Sequence, residues 1–209
     1  TVKNPILAAR AVMEHSPHVM LAGPGADQFA QEQGLDIVSP DYFHTERRWQ
    51  DLQRLRNSSG EVAETSELGD WKFGTVGAVA LDLDGNLVAG TSTGGMTNKR
   101  WGRIGDSPVI GAGSYAANAS CAVSATGHGE YFIRRTVARD ICARMEFAGQ
   151  DLRSAARAVI HGQLGEMGGS GGIIAIDSRG EMVMEFNSTG MFRGSVSSGQ
   201  GIETAMLDR

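Results

Sequence analysis

One stretch decides how this chain folds: Phe73-Gly74-Thr75-Val76-Gly77-Ala78-Val79-Ala80. A polar, acidic segment ends here, and an apolar run typical of a β-strand begins with a threonine in its first position. Residues 57–72, just upstream, have little apolar content and no clear period, which predicts a mobile linker. We interpret the junction as a cleavage site. Breaking the bond between Gly74 and Thr75 would free an α-amine that can serve as base for the Thr75 hydroxyl.

Composition limits the classes to which this chain can belong. A length of 209 residues allows one domain with a substantial core, and 29 glycines indicate many tight turns or close backbone approaches. The net charge of −5 disfavours nucleic acid or an anionic membrane as partner. No apolar run approaches the ~20 residues of a membrane span. Cys121 and Cys142 lie in apolar or helical surroundings, which favours a reduced, cytoplasmic protein over a disulfide scaffold.

The segment before the junction has the pattern of a helical region. A first helix is expected from Pro5, behind Asn4 as N-cap, and should end before Pro17. The remaining pattern predicts a strand at 19–22, a turn at Gly23-Pro24-Gly25, a helix at 26–33, a short helix at Pro40 and a helix from about Thr45.

The segment after the junction is rich in strand patterns. They cover residues 76–83, expected to be buried on both faces, and 87–92, 109–112, 120–126, 173–176 and 182–186. Gly129 to Phe147 has the spacing of one long helix, and Asp151 caps a second. Because antiparallel hairpins flank a pair of helices, the sequence predicts an α+β fold rather than an alternating βαβ order.

Hydroxyl groups and glycines provide the candidate chemistry. His15 and His18 straddle Pro17 without a third ligand nearby, which disfavours a metal site. Three polar segments lie at strand ends or in loops: the hydroxyl-rich 91–99, the loop 102–108 with a cation and an anion three residues apart, and the turn 124–130, whose backbone N–H groups suit an oxyanion hole. Each alone is also explained by β-forming threonines, a solvated turn or a helix cap. Their combination around Gly74–Thr75 favours a hydrolytic site.

In order and spacing these motifs resemble those of the plant-type L-asparaginases and isoaspartyl peptidases, which are N-terminal-nucleophile hydrolases related to glycosylasparaginase. The likeness rests on residues 74–82, 85–87, 91–95, 102–108, 111–113, 126–127, 168–172 and 187–191. Residues 4–10 and 16–19 also look like the family's α-subunit, so the likeness extends over nearly the whole chain.

The resemblance implies a set of catalytic roles. Thr75 would be the nucleophile, freed by autocleavage after Gly74, and Thr93 would hydrogen-bond to it and tune it. The Thr126 hydroxyl and the Gly127 N–H would hold the oxyanion.

It also implies how a substrate is recognised. Arg103 would bind the substrate α-carboxylate in a bidentate manner, and Asp106 would bind the α-ammonium group, with Gly127 lining the same site. Such a pair requires a free amino-acid head group. L-Asparagine and β-aspartyl dipeptides satisfy that requirement, whereas ordinary α-peptides do not.

The resemblance further implies an architecture and an assembly. The expected fold is a four-layer αββα sandwich forming a single domain over 1–209, made of two cleavage products: 1–74, from the C-terminal part of an α-subunit with the linker at about 57–74, and 75–209 as the β-subunit. The expected assembly is a homodimer of cleaved αβ units in the cytoplasm. No cofactor and no catalytic metal are expected, a structural alkali cation being the one ion that the resemblance allows.

The sequence departs from the family in three places. Trp101 stands where relatives commonly carry proline, and His128 where a small polar residue is common; we interpret His128 as a helix-start residue rather than a second base. The family's His-Gly-Gly-Ala-Gly motif does not occur, so we expect this chain to lack the family's N-terminal segment.

Other functions stay open on the sequence alone. One alternative is a glycosylasparaginase-like amidase, and another is a truncated, non-catalytic remnant. Thr1 as nucleophile is disfavoured because it leads into a helix rather than a strand.

Overall fold

The computed structural model describes residues 1–58 and 74–207. They divide into two compact units, the first with residues 1–58 and Met96–Arg103 and the second with residues 74–95 and 104–207. Helices and antiparallel sheets are both present, so the predicted α+β class is confirmed. Most of the predicted linker lies outside the described residues, and its first two positions, Asn57 and Ser58, belong to a helix.

The first unit is helical. It contains α1 (Pro5–His15), α2 (Gly23–Glu32), a 3-10 helix (Pro40–Phe43) and α3 (Glu46–Ser58). Asn4 is the N-cap of α1, and the helix ends at His15, two residues before Pro17. The strand predicted at 19–22 is wrong, because these residues form an irregular connection. The turn predicted at Gly23-Pro24-Gly25 is also wrong: these residues form the first turn of α2, where proline needs no hydrogen-bond partner for its nitrogen.

The second unit contains eight strands in three antiparallel sheets. They are β1 (Val76–Leu81), β2 (Leu87–Ser92), β3 (Ser114–Ala116), β4 (Cys121–Gly127), β5 (Gly171–Asp177), β6 (Met182–Phe186), β7 (Arg193–Ser197) and β8 (Gln200–Ala205). β1 pairs with β2, β3 to β6 form a four-stranded sheet in sequence order, and β7 pairs with β8. The strand predicted at 109–112 is wrong. These residues form a turn, in which the Val109 N–H donates to the Asp106 carbonyl at 2.8 Å.

Two helices replace the single long helix predicted at 129–147. They are α4 (Gly129–Arg135) and α5 (Val137–Ala148), separated by Thr136 with φ 48°. The break has a physical reason, because the N–H groups of Ala138 and Arg139 in the first turn of α5 donate to the carbonyls of Ala112 and Gly111 (3.1 and 2.8 Å) instead of continuing α4.

A third helix follows in the same layer. Asp151 caps α6 (Leu152–Arg157), as predicted, by accepting a hydrogen bond from the Ser154 N–H at 2.8 Å, and a π-helical segment (Ala158–Leu164) continues α6.

The four-stranded sheet has two different neighbours. On one face, Val123 and Ala125 of β4 join a buried apolar core with α4, α5 and α6. On the other face, Ser124 meets the β1–β2 hairpin at Gly77 and Thr91. The prediction that β1 is buried on both faces is wrong, since Val76 is 72% exposed. Within the second unit three layers therefore follow one another: the helices α4 to α6, the four-stranded sheet, and the β1–β2 hairpin.

A disulfide joins Cys121 of β4 to Cys142 of α5. The prediction of two reduced cysteines is therefore wrong. Both residues are fully buried on the helix-facing side of the sheet, and their Cα atoms lie 5.5 Å apart, within the range that a disulfide requires. Packing of α5 on β4 produces this proximity across a sequence separation of 21.

Candidate active site

The β1–β2 hairpin brings Thr75 and Thr93 together. The strands pair from Leu81↔Leu87 to Val76↔Ser92, so the next residues along each strand are these two threonines. The turn between the strands is fixed by Asp82, whose carboxylate accepts hydrogen bonds from the Asn86 side chain and from the N–H groups of Asn86 and Asp84 at 2.7–2.9 Å. These bonds, led by that of the Asn86 side chain, lower the pKa of Asp82 below its ordinary value.

The Thr75 hydroxyl donates to the Thr93 hydroxyl oxygen across 3.3 Å. This distance is longer than the usual 2.7–2.8 Å of an O–H···O hydrogen bond. The Gly95 N–H donates to the same Thr93 oxygen at 3.1 Å. Thr93 is thereby oriented by its own loop, and Thr75, which is half-buried, is held at the edge of the hairpin.

Thr126 and Gly127 occupy the last two positions of β4. The Thr126 hydroxyl oxygen is buried and has no hydrogen-bond partner within the described part of the chain. A buried polar atom without a partner is costly, and such atoms concentrate where a ligand supplies the missing bond.

None of the described strands offers a partner to the Gly127 N–H. The opposite residue, Gly171, directs its N–H and its carbonyl toward Asn187, at 2.8 and 3.0 Å. In an antiparallel ladder the N–H groups of residues two apart point to the same edge of a strand. The Ala125 N–H donates to the Gly113 carbonyl at 2.9 Å, on the β3 edge of β4. The Gly127 N–H therefore points to the β3 edge as well, away from β5. Strand β3 begins only at Ser114, so the ladder ends before it reaches Gly127.

The backbone requires glycine at position 127. Its φ is 153°, and a Cβ atom there would collide with the Ser170 carbonyl, the Phe132 ring and Gly171. Asn187 fixes the facing loop, since its side-chain amide donates to the Gly169 carbonyl at 2.9 Å and its side-chain oxygen accepts from the Gly171 N–H. The sequence alone predicts no role for Asn187. The signal that could have found it is its position, since it is a polar residue directly after the apolar strand β6.

Asp106 and Arg103 belong to different units. Asp106, in the second unit, is 5% exposed, and its backbone carbonyl accepts from the N–H groups of Val109 and Gly113, which close the loop around it. Arg103 ends the Met96–Arg103 segment of the first unit, is half-buried, and donates its N–H to the Arg100 carbonyl at 2.9 Å. The substrate-binding roles of both residues stay predictions.

Two of the departures from the family pattern, His128 and Trp101, are residues whose positions the structure describes. His128 is the N-cap of α4, which agrees with its interpretation as a helix-start residue. Trp101 lies in the first unit with φ 54° and is 94% exposed.

The local arrangement supports acyl-transfer chemistry. A threonine hydroxyl at the start of a strand contacts a second hydroxyl, and a third hydroxyl and a backbone N–H stand at the end of β4, which packs on that hairpin. In residues 1–58 and 74–207, no group of three His, Cys, Asp or Glu side chains is placed to hold a metal ion. No helix in the same residues has the length and apolar character of a membrane span.

Comparison with known proteins gives similar sequences over almost the whole chain. A family described as Asparaginase matches residues 1–206. The isoaspartyl peptidase of Escherichia coli (strain K12) is 53% identical over 195 residues, which cover 92% of this chain and 61% of that protein. The isoaspartyl peptidase of Salmonella typhimurium is 54% identical over 196 residues, covering 92% and 62%. The probable isoaspartyl peptidase/L-asparaginase 2 of Arabidopsis thaliana is 43% identical over 229 residues, covering 100% and 70%. The chain thus spans about three fifths of the length of its bacterial relatives.

Proposed function

The chain belongs to the asparaginase family, and on that premise we propose that it is a threonine amidohydrolase that releases L-aspartate from β-aspartyl dipeptides and L-asparagine. The bacterial relatives are named isoaspartyl peptidase, and the Arabidopsis relative has a name that adds L-asparaginase. The observation that carries the proposal is a hydrogen bond: the hydroxyl of Thr75, the first residue after Gly74, donates to Thr93.

Activation is proposed to begin with cleavage of the Gly74–Thr75 bond. The Thr75 Oγ attacks the Gly74 carbonyl carbon, the C–N bond breaks as the hydroxyl proton passes to the nitrogen, and the acyl group moves from nitrogen to oxygen as an ester. Water then hydrolyses the ester and leaves a Gly74 carboxylate and a Thr75 α-amine. Exposed Gly74 has no side chain to obstruct the attack. The new amine titrates near ~7.7–8.0, close to working pH, as a general base should.

In the mature enzyme the same hydroxyl would attack the side-chain amide of the substrate. The α-amine of Thr75 takes the hydroxyl proton, and the Oγ adds to the amide carbon. The Thr126 hydroxyl and the Gly127 N–H donate to the resulting oxyanion, a role that suits a Thr126 oxygen with no hydrogen-bond partner among the described residues. The proton passes to the leaving amine, an ester to Thr75 forms, and water releases aspartate. These residues supply every group that the reaction needs, so we propose no cofactor.

Substrate choice is proposed to depend on Arg103 and Asp106. A guanidinium fork matches a carboxylate, and a buried carboxylate suits an ammonium group. This part rests on the 102–108 motif. It predicts that loss of either charge raises KM for free amino-acid substrates.

For the architecture and assembly we propose the family arrangement. The helix, sheet, sheet order of the second unit supports three layers of the αββα sandwich. The homodimer of cleaved αβ units and the structural alkali cation rest on resemblance alone. A cytoplasmic location stays a prediction, and the disulfide removes the cysteine argument for it.

The proposal is tested by supplying the purified chain with a β-aspartyl dipeptide, the α-aspartyl dipeptide of the same composition, and L-asparagine. We expect aspartate release from the first and third substrates but not from the second. Thr75→Ala should remove the activity, by about 10⁴-fold or more, as for other nucleophile deletions. The matched control is Thr204→Ala, because Thr204 is an exposed threonine on β8. This variant should retain the activity.

The other outcomes identify the alternatives. Cleavage of N-glycosylated asparagine in preference to β-aspartyl dipeptides would indicate a glycosylasparaginase-like amidase. An uncut chain that releases nothing would indicate the non-catalytic remnant. Equal activity of wild type and Thr75→Ala would contradict the proposed nucleophile.

A further inference from the structure

Three hydroxyl groups meet between the β1–β2 hairpin and the four-stranded sheet. The Thr91 Oγ1 lies 2.6 Å from the Ser114 Oγ and 2.7 Å from the Ser124 Oγ, and it donates to the Gly113 carbonyl at 3.1 Å. Ser124 is 3% exposed. We call Thr91, Ser114 and Ser124 the hydroxyl cluster. A cluster of short hydrogen bonds in an interior is costly unless every member is satisfied, and this one joins three different strands.

Two members of the hydroxyl cluster lie on the same strands as proposed catalytic residues, or on the strand leading to them, two residues away. Thr91 precedes Thr93 by two residues, and Ser124 precedes Thr126 by two residues. Because successive side chains on a strand alternate between faces, residues two apart share a face. The Thr91–Ser124 hydrogen bond therefore links the strand that leads to Thr93 with the strand that ends at Thr126.

The third strand of the site reaches the same point. Gly77, two residues after Thr75 and paired with Thr91, approaches Ser124 so closely that a Cβ atom would collide with the Ser124 hydroxyl. Strand β1 therefore rests on the hydroxyl cluster through its backbone.

The loop that carries Asp106 is attached to the cluster as well. The Ser114 hydroxyl is 3.4 Å from the Ser107 carbonyl, and the Gly113 N–H donates to the Asp106 carbonyl at 3.2 Å. Gly113 thus connects the Asp106 backbone to Thr91.

We propose that Thr91 and Ser124 are positioning residues for the amidohydrolase reaction, because their hydrogen bond fixes the spacing between the nucleophile pair on the β1–β2 hairpin and the oxyanion donors at the end of β4. The inference rests on the proposed function. Neither residue touches the reacting atoms. A displacement of 1 Å between reacting groups can lower a rate about 10²-fold, so a hydroxyl that fixes two strands can affect turnover from a distance.

The test compares matched variants of the full chain. Thr91→Val removes the hydroxyl and keeps the shape, Thr91→Ser keeps the hydroxyl, and Ser124→Ala removes the partner. Ser120→Ala is the control, since Ser120 lies just before β4, away from Thr126, and is also 3% exposed. Measurements are kcat and KM per cleaved chain, the cleaved fraction by intact mass, and the melting temperature.

We expect Thr91→Val and Ser124→Ala to lower kcat by roughly 10- to 100-fold with KM within about 2-fold of wild type. Thr91→Ser should recover kcat to within about 5-fold of wild type, because the hydroxyl is retained. Ser120→Ala should leave kcat within about 2-fold of wild type and should not lower the melting temperature, because the Ser120 hydroxyl oxygen has no hydrogen-bond partner among the described residues. If Thr91→Val does not fold, the Ser124→Ala and Thr91→Ser pair decides the question.

Three results would contradict the inference. The first is an unchanged kcat in Thr91→Val and Ser124→Ala, which would overturn the positioning role and leave the proposed function intact. The second is a fall in kcat that is equally large in Ser120→Ala, which would show that the loss does not depend on the Thr91–Ser124 hydrogen bond. The third is a wild-type chain without activity, which would overturn the proposed function first and the positioning role with it.

Discussion

The two faces of β4 differ in what they contact. The helix-facing side carries Cys121, Val123 and Ala125, which lie in a continuous apolar core and include one end of the disulfide. The hairpin-facing side carries Ser124 and Thr126. Ser124 meets Thr91 and Gly77 of the β1–β2 hairpin, and the buried Thr126 oxygen has no hydrogen-bond partner among the described residues. One strand therefore separates a side that stabilises the fold from the side that carries the proposed oxyanion donor Thr126.

The difference has an energetic meaning. Apolar burial stabilises in proportion to area and demands little precision, so the helix side can hold the strand in place. Hydroxyl groups contribute little net stability, yet their short hydrogen bonds fix distances. Variants on the first side should thus change stability, and variants on the second side should change turnover.

The largest effect on stability is expected from Ile141→Ala on the helix side. Ile141 is fully buried in α5, and truncating a buried isoleucine leaves a cavity that costs about 2–5 kcal/mol. Urea unfolding should show this loss, while kcat of the folded fraction stays near wild type. A parallel fall in kcat at full folding would show that the two sides are not separable.

The complementary change is Thr126→Val on the hairpin side. It keeps the shape and removes one proposed oxyanion donor, so kcat should fall about 10²–10³-fold, equivalent to about 3–4 kcal/mol. The melting temperature should not fall, because the native Thr126 oxygen has no hydrogen-bond partner among the described residues. Steady-state kinetics and calorimetry check the two parts, and an unchanged kcat would remove Thr126 from the oxyanion site.

The disulfide provides a second test of the stabilising side. Replacing Cys121 and Cys142 together by alanine should lower the free energy of unfolding by about 3 kcal/mol, since the bridge closes a loop across 21 positions. Wild-type protein unfolded with a reductant is the control and should behave like the double variant. The prediction fails if reductant leaves the urea midpoint of the wild type unchanged.

The smallest effect concerns a carboxylate on neither side of β4. The pKa of Asp82 is lowered by the Asn86 side chain and nearby N–H groups, so this carboxylate stabilises the hairpin above its ordinary pKa and loses that contribution as pH falls through the lowered value. Asn86→Ala should bring the pKa of Asp82 back toward its ordinary value. NMR titration of the Asp82 carboxyl carbon measures the change, and an unmoved pKa would contradict the assigned cause.

Local sequence signals predicted much of this fold. The β1–β2 hairpin follows from Asp84-Gly85 between apolar runs, and β2 and β6 occupy the predicted residues. Asp151 caps its helix because its carboxylate reaches the Ser154 N–H within one turn. Thr75 contacts Thr93, and the tuning role expected of Thr93 stays a prediction. All of these depend on residues close in sequence or on motif order.

What sequence missed depends on tertiary contacts. The break at Thr136 arises because α5 donates to the Gly111 and Ala112 carbonyls, which no helical period reveals. The disulfide joins two residues brought together by helix packing on a sheet. The hydroxyl cluster unites Thr91 and Ser124 from separate strands, and only sheet packing places them within hydrogen-bonding distance.

The most direct measurement is the intact mass of the purified wild-type chain beside that of Thr75→Ala. If Thr75 is a nucleophile freed from its own peptide bond, the wild type should give two fragments, one ending at Gly74 and one beginning at Thr75, while Thr75→Ala stays whole. A wild-type chain that remains whole while it hydrolyses a β-aspartyl dipeptide, or a Thr75→Ala chain cut at the same bond, would contradict the claim.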